Sequence, residues 1–241
     1  PCDGVDISLY DAAGNEVVIT IPEVGCDCRA AGARPRAAWP ALGLAGLVAD
    51  ELRNLDAEAV KIQAAGVAFR GDLRVAYRAC LESRCASRVL LELARFPAPD
   101  AKALHAGVRR LDWGAHLDPD RTLAVHATGR NAALRHTGFA AQKVKDGVVD
   151  WFRDETGRRP SVDLRNPDVR LHVHLEGPWA TLSLDLAGAP LHQRGYRVGG
   201  APAPLKETVA AGMLHLLGWP ALAAEGGAFV DPMCGGGTLP I

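Results

Sequence analysis

Apolar and polar positions alternate from the start of the chain. Val5, Ile7 and Leu9 are separated by polar neighbours, and Val17, Ile19 and Ile21 stand at alternate positions on the return. Ala13-Gly14-Asn15 between them has turn chemistry, so residues 5–21 are predicted to form a β-hairpin. A loop-like stretch follows from Pro22 to Pro40. The period then becomes helical over 43–54, with Leu44, Leu47, Val48, Leu52 and Leu55 on one face. Further along, strands are predicted at 60–63, 66–69, 89–93 and 123–126. Helices are predicted at 72–81 and at 101–111, the second capped by Asp100.

The longest helical signal runs over 139–154. Thr137 is its expected N-cap, and Ala141, Val144, Val148, Trp151 and Phe152 share a face. Lys143, Asp146, Asp150 and Arg153 occupy the opposite face, and Gly157 ends the helix. Two alternating strands, 169–175 and 180–186, flank the turn residues Gly177-Pro178. Pro204 is expected to open a helix reaching 217 that buries Val209, Met213, Leu216 and Leu217. A short buried strand is predicted at 228–230. The fold class this implies is α/β, with small mixed sheets rather than one long parallel sheet.

Composition narrows the picture. At 241 residues the chain exceeds the usual single domain, and 48% hydrophobic residues suffice for a substantial core. No apolar run approaches the ~18 residues of a membrane span, and no signal-peptide pattern opens the chain, so a soluble cytoplasmic protein is expected. Six cysteines stand at 2, 26, 28, 80, 85 and 234 without a C-x-x-C repeat. Reduced thiols and no metal site are the expectation. His172 and His174 share a strand face, which allows chelation in principle but suits ordinary strand residues better. Charge is uneven: residues 1–32 hold Arg29 against six carboxylates, which leaves 26 basic and 22 acidic residues for the remainder. That modest positive excess suits a polyanionic partner.

The strand predicted at 228–230 runs into Asp231-Pro232-Met233-Cys234-Gly235-Gly236-Gly237-Thr238. A strand ending in an acid and followed by glycines is the opening of a Rossmann-like nucleotide site. Glycines let the chain turn sharply and bring backbone N–H groups close to a ligand. The run lacks the G-x-G-x-x-G order and the Lys-Ser/Thr of a P-loop. A glycine-rich turn without a ligand is the alternative reading. Similarly, Lys143, Lys145, Arg153, Arg158 and Arg159 could meet phosphates, or form a solvated face balanced by Asp146, Asp150 and Asp154. Cys234 reads as a small packing residue.

The 231–239 segment resembles the first cofactor motif, D-P-M-C-G-S-G-T, of methyltransferases that carry a THUMP domain. Arg194-Gly195-Tyr196-Arg197 and Ala203-Pro204-Leu205-Lys206-Glu207-Thr208 resemble the segment preceding that motif in the family. Gly71-Asp72 with Tyr77-Arg78, 83–88, 139–146 and 159–163 follow the same template over roughly 42–241. The resemblance is nearest to bacterial 23S ribosomal RNA guanine-N2 methyltransferases. It implies most of a ferredoxin-like domain at 33–74 and a THUMP RNA-binding domain at 75–187, preceded by an acidic extension at 1–32 that the charge count marks off. A linker and the start of a methyltransferase domain would occupy 188–241. It further implies S-adenosylmethionine as cofactor, held by Asp231, Pro232, Cys234, Gly235, Gly236, Gly237 and Thr238, with Lys206 and Glu207 near it. RNA would contact Lys143, Lys145, Arg153, Arg158 and Arg159.

The implied activity is methylation of guanine N2 in 23S ribosomal RNA. A transfer-RNA guanine methyltransferase, or a non-catalytic RNA-binding module, are the alternatives. Three departures from the family stand out. Gly236 replaces a serine, residues 1–32 have no counterpart, and Leu42-Gly43-Leu44 lacks the usual preceding arginine. The family's N/D-P-P-Y/F loop, which positions the acceptor nitrogen, does not occur between Pro1 and Ile241. It is expected after Ile241, so no catalytic residue is assigned and the chain by itself is expected to be inactive.

Overall fold

The computed structural model describes residues 5–10, 16–21, 36–40, 43–63, 66–195 and 205–240. The chain divides into two compact units, 1–32 and 33–241. The first unit holds the expected hairpin: β1 (Val5–Tyr10) pairs antiparallel with β2 (Glu16–Ile21), Val5 opposite Ile21 and Tyr10 opposite Glu16. Its turn at 13–15 lies outside the described residues.

The second unit is built on one eight-stranded sheet. The chain runs through β3 (Arg36–Pro40), α1 (Ala45–Asn54), β4 (Glu58–Gln63), β5 (Gly66–Arg70), α2 (Leu73–Glu82), β6 (Ala86–Pro97) and α3 (Ala101–Arg109). It continues through β7 (Thr122–Arg130), α4 (Thr137–Thr156), β8 (Ser161–Val162), β9 (Val169–Glu176), β10 (Trp179–Asp185), α5 (Glu207–Leu216) and α6 (Trp219–Ala224). Strand order is β4-β5-β3-β6-β10-β9-β7-β8, antiparallel except where β7 pairs with β8 and β9. The expected small sheets are therefore one mixed sheet. The strand that joins its halves is β3, predicted as loop. Ala37-Ala38 offers no alternation to read, and the strand exists only by pairing with β5 and β6, remote in sequence.

Two cores pack on this sheet. One gathers Ala38, Val48, Leu52, Val67, Phe69 and Val89. The other gathers Leu93, Leu104, Trp113, Leu123, Val148, Phe152, Val173 and Leu182. The twelve-residue β6 serves both, Val89 facing one cluster and Leu93 and Phe96 the other. Such a strand has no strict period-2 pattern along its whole length, and prediction recovered only its middle.

Local chemistry explains the helix ends. Asp72 Oδ1 accepts the Val75 N–H at 2.8 Å, and Asp100 Oδ1 accepts the Ala103 N–H at 2.8 Å. Gly157 ends α4 at φ 68°, a left-handed cap. Thr137 is not the N-cap of α4: it is the first helical residue, and His136 precedes it without a side-chain cap bond. The α2–β6 turn is held by Glu51 of α1, whose carboxylate accepts Ser83 Oγ–H at 2.6 Å, Arg84 N–H at 3.0 Å and Cys85 N–H at 3.3 Å. Among the described residues, no helix is long and apolar enough to cross a membrane.

Candidate nucleic-acid interface and cofactor loop

The five basic residues predicted for RNA lie along and beyond α4, but they form two groups rather than one cluster. Lys143 and Lys145 both pair with Asp146 near the middle of the helix, at 3.3 and 2.6 Å. Partial burial works to raise the Asp146 carboxyl, yet hydrogen bonds from Lys145 and Lys143 outweigh it and hold the group below its ordinary value. At the far end Arg153 pairs with Asp150 at 3.2 Å, Arg158 pairs with Asp120, and Arg159 is exposed. At a rise of 1.5 Å per residue, Lys145 and Arg153 stand roughly 12 Å apart along the helix axis. The exposed pairs of Arg153 and Arg158 are worth at most about 1 kcal/mol each, and the partly buried lysine pairs remain open to solvent. A phosphate can therefore displace a carboxylate partner at little cost.

On the sheet face turned away from α3 and α4, the sequence placed His172 and His174 together but missed Arg88, His126, Arg170 and Asp185 beside them. On β9, Leu171, Val173 and Leu175 enter the core beneath α4, so alternation sends Arg170, His172 and His174 to the other side. The register sets His172 opposite both Ser183 of β10 and His126 of β7. The His126 and His172 rings lie 5.6 Å apart between centroids, tilted by 38°. Thr128 Oγ1 lies 3.2 Å from His172 Nε2 and 3.0 Å from His174 Nδ1. Beside them Arg88 of β6 forms an ion pair with the buried Asp185.

These groups border a hollow of about 190 Å³, rimmed by the exposed Leu164. Burial, and then His126 and His174, push His172 down to about 3. Burial followed by the Arg88 and Arg170 guanidiniums lowers His126 as well. Both rings are neutral at neutral pH. Among the described residues, no group of three or more His, Cys, Asp or Glu could hold a metal ion. Cys80 and Cys85 are free, and burial pushes both thiols up to about 12, which removes the thiolate a metal or nucleophile requires. Cys2, Cys26 and Cys28 lie outside the described residues.

The carboxy-terminal segment differs most from expectation. Tyr196, Arg197, Ala203 and Pro204 lie outside the described residues, and α5 begins at Glu207 with Lys206 as its N-cap. Ile241 lies outside the described residues too. The face of α5 that packs is Thr208, Ala210 and Gly212. Met213, Leu216 and Leu217, expected in the core, are exposed. The reason is close approach: a Cβ on Gly212 would stand 2.6 Å from Leu44 Cδ2, so the small residues sit against α1 and the large ones point away. Nor do residues 228–230 form a buried strand, and Val230 is 80% exposed. A strand exists only through its neighbours' hydrogen bonds, and no described residue supplies them.

Arg194 anchors the segment. Its guanidinium donates to the carbonyl oxygens of Cys80 at 3.1 Å, Leu81 at 2.9 Å and Ser83 at 2.6 Å, at the carboxy-terminal end of α2. His192, Arg194, Gly195, Leu205, Lys206 and Glu207 line a hollow of about 420 Å³. The glycine run does not border it. Asp231 Oδ1 accepts the Met233 N–H at 3.1 Å, and the Gly237 N–H donates to Cys234 O at 2.7 Å. Gly235 and Gly237 adopt φ of 52° and 69°, where a side chain is strained, while Gly236 lies outside that region. Pro232, Cys234 and Gly235 are exposed, and Thr238 is partly buried.

Comparison with known proteins gives this arrangement a context. A THUMP domain matches residues 98–185, an RlmL ferredoxin-like domain matches 38–90, and an RMKL-like methyltransferase domain matches 194–241. The ribosomal RNA large subunit methyltransferase K/L of Methylococcus capsulatus is 53% identical over 197 residues, which cover 82% of this chain and 27% of that protein. The chain thus spans about a quarter of the length of the curated relatives it matches. Among solved structures, a "predicted N6-adenine-specific DNA methylase" of Listeria monocytogenes is 30% identical with a TM-score of 0.73, covering 87% of this chain and 54% of that one. A chain described as a methyltransferase and complexed with SAH is 25% identical with a TM-score of 0.63, covering 76% and 48%. The ferredoxin-like match covers α1, α2 and the strands from β3 to the start of β6, the THUMP match covers α3, α4 and β7 to β10, and the methyltransferase match covers α5, α6 and the glycine run; the chain belongs to the THUMP-domain methyltransferase family that includes the ribosomal RNA large subunit methyltransferases K/L.

Proposed function

We propose that a longer protein carrying this chain methylates the exocyclic N2 of a guanine in 23S ribosomal RNA, and that this chain contributes RNA binding and the first cofactor motif. The observation that carries the reading is the joining, in one chain, of a sheet domain bearing basic groups to the Asp231–Thr238 turn with its two left-handed glycines. The turn fits the cofactor in its donor set. Asp231 offers a carboxylate to a cationic amino group, and a Cβ on Gly235 would meet nothing nearer than Met233 O at 4.0 Å, which leaves room for a ligand. S-adenosylmethionine supplies an electrophilic methyl group when bound. Residues 231–238 would hold its amino-acid portion, with Lys206 and Glu207 beside it. Methylation of an amino group is then mostly a matter of holding the acceptor in line, and RNA bound to the sheet domain restricts where that acceptor can lie. The exposed Met213, Leu216, Leu217 and Val230 suit this reading, since apolar residues in such number mark a surface that packs against further structure.

A methylation assay tests the activity. The longer protein, offered ribosomal and transfer RNA separately, is expected to label large-subunit ribosomal RNA, whereas residues 1–241 alone label neither. Preferential labelling of transfer RNA would move the substrate assignment. No labelling by the longer protein would leave a non-catalytic RNA-binding module.

The basic groups make a separate expectation. Changing Lys143, Lys145, Arg158 and Arg159 together to Ala is expected to weaken binding of structured RNA at low salt. The slope of log affinity against log salt should flatten by up to about 3, since each lost phosphate contact removes roughly 0.7–0.9. Unchanged affinity and slope in a filter-binding salt series would show that these pairs serve only as a solvated surface.

A further inference from the structure

We infer that the hollow on the sheet face turned away from α3 and α4 receives one unpaired nucleotide of the bound RNA, its phosphate between Arg88 and Arg170 and its base against His126. This rests on the RNA-binding reading above, and assigns it a place distinct from the basic groups of α4. Size limits the ligand first. A volume of about 190 Å³ falls below the ~300 Å³ at which drug-sized ligand pockets begin, so the hollow takes in the base edge and phosphate of a single nucleotide against its walls, not a whole cofactor or a duplex. Charge is the second limit. Asp185 offsets one of the two guanidiniums, and with neutral histidines the hollow keeps a net positive charge.

Geometry completes the assignment. Arg88 gives its Nη1 to Asp185, and Arg170 gives its Nη2 to the Arg165 carbonyl at 3.1 Å. Each planar fork carries five N–H donors, so each retains donors for phosphate oxygens. These internal bonds also hold the forks in place before a ligand arrives. His126 is exposed and lies beside the buried His172 on the neighbouring strand, and the Thr128 hydroxyl contacts His172 in turn. A neutral imidazole held there offers a flat π-face, and Leu164 supplies an apolar wall at the rim. Cationic forks beside a ring platform are the chemistry by which proteins take splayed-out single-stranded bases, whereas the stacked bases of a duplex cannot reach such a surface.

The test uses the whole chain with two RNAs of one hairpin sequence, one blunt and one bearing a single-stranded tail. His126→Ala and Arg170→Ala are each expected to weaken binding of the tailed RNA about five-fold or more while changing blunt-hairpin binding less than two-fold. His126→Phe, which keeps a stacking ring, should retain tailed-RNA affinity. Arg170→Ala should also lower the salt slope for the tailed RNA by about 0.7, and His126→Ala should leave it unchanged. Circular dichroism melts establish that each variant folds. If wild-type chain prefers the tail but neither variant loses that preference, the nucleotide lies elsewhere and the inference is overturned while RNA binding stands. Absence of any RNA binding by the wild-type chain would overturn both.

Discussion

Gly129→Ala is expected to lower the thermal midpoint of the chain by roughly 10 °C, corresponding to about 3 kcal/mol in a domain of this size. Gly129 sits near the end of β7, opposite Leu175 of β9, with φ of 72°. Two penalties coincide there. A left-handed conformation costs an L-residue about 1–2 kcal/mol. The new Cβ would also fall 2.0 Å from the Leu175 carbonyl oxygen, which is backbone in a central strand and cannot swing aside. Displacing β9 strains the core that Leu171, Val173 and Leu175 fill, and such overpacking costs about 1–3 kcal/mol. Gly138→Ala is the control. A Cβ at Gly138 meets nothing within 4 Å, and its place in the first turn of α4 favours Ala over Gly, so that variant should be neutral or up to about 1 kcal/mol more stable. Equal melting of the two variants in calorimetry would refute the account of the β7–β9 contact.

The second large effect is expected at the glycine turn, in a protein of the curated relatives' length. Gly237→Val should weaken S-adenosylhomocysteine binding at least ten-fold. Gly237 holds φ of 69°, and a β-branched residue there costs about 2 kcal/mol or more or forces the turn to open. Opening would break the Gly237 N–H bond to Cys234 O that closes the loop. Gly236→Ser should be tolerated, because Gly236 does not need the left-handed region, and the loss of unfolded-chain freedom should stabilise the loop by about 0.4–1 kcal/mol. Calorimetric titration separates the cases. Wild-type affinity in Gly237→Val would mean that this run does not hold the cofactor.

Much of the helical and hairpin structure is written locally. The caps at Asp72 and Asp100, the left-handed stop at Gly157 and the alternation in β1, β9 and β10 each depend on residues a few positions apart. Such features survive in a sequence read without its fold. The glycine-rich motif was legible for the same reason, since its chemistry lies in eight consecutive residues.

What the sequence left open depends on contacts between distant segments. Ala37-Ala38 is a strand because β5 and β6 pair with it from both sides, and no pattern of its own says so. Met213, Leu216 and Leu217 read as a core face by hydrophobicity, but Gly212 against Leu44 decides that the small side of α5 packs. The hollow on the sheet joins Arg88, His126, Arg170, His172 and Asp185 from four strands, β6, β7, β9 and β10. Only Arg170 and His172 are neighbours along the chain. Periodicity can place each residue on a face, but which faces meet is settled by strand order and register. Those are set by the burial of two apolar cores at once, a property of the whole sheet that no single window of sequence contains.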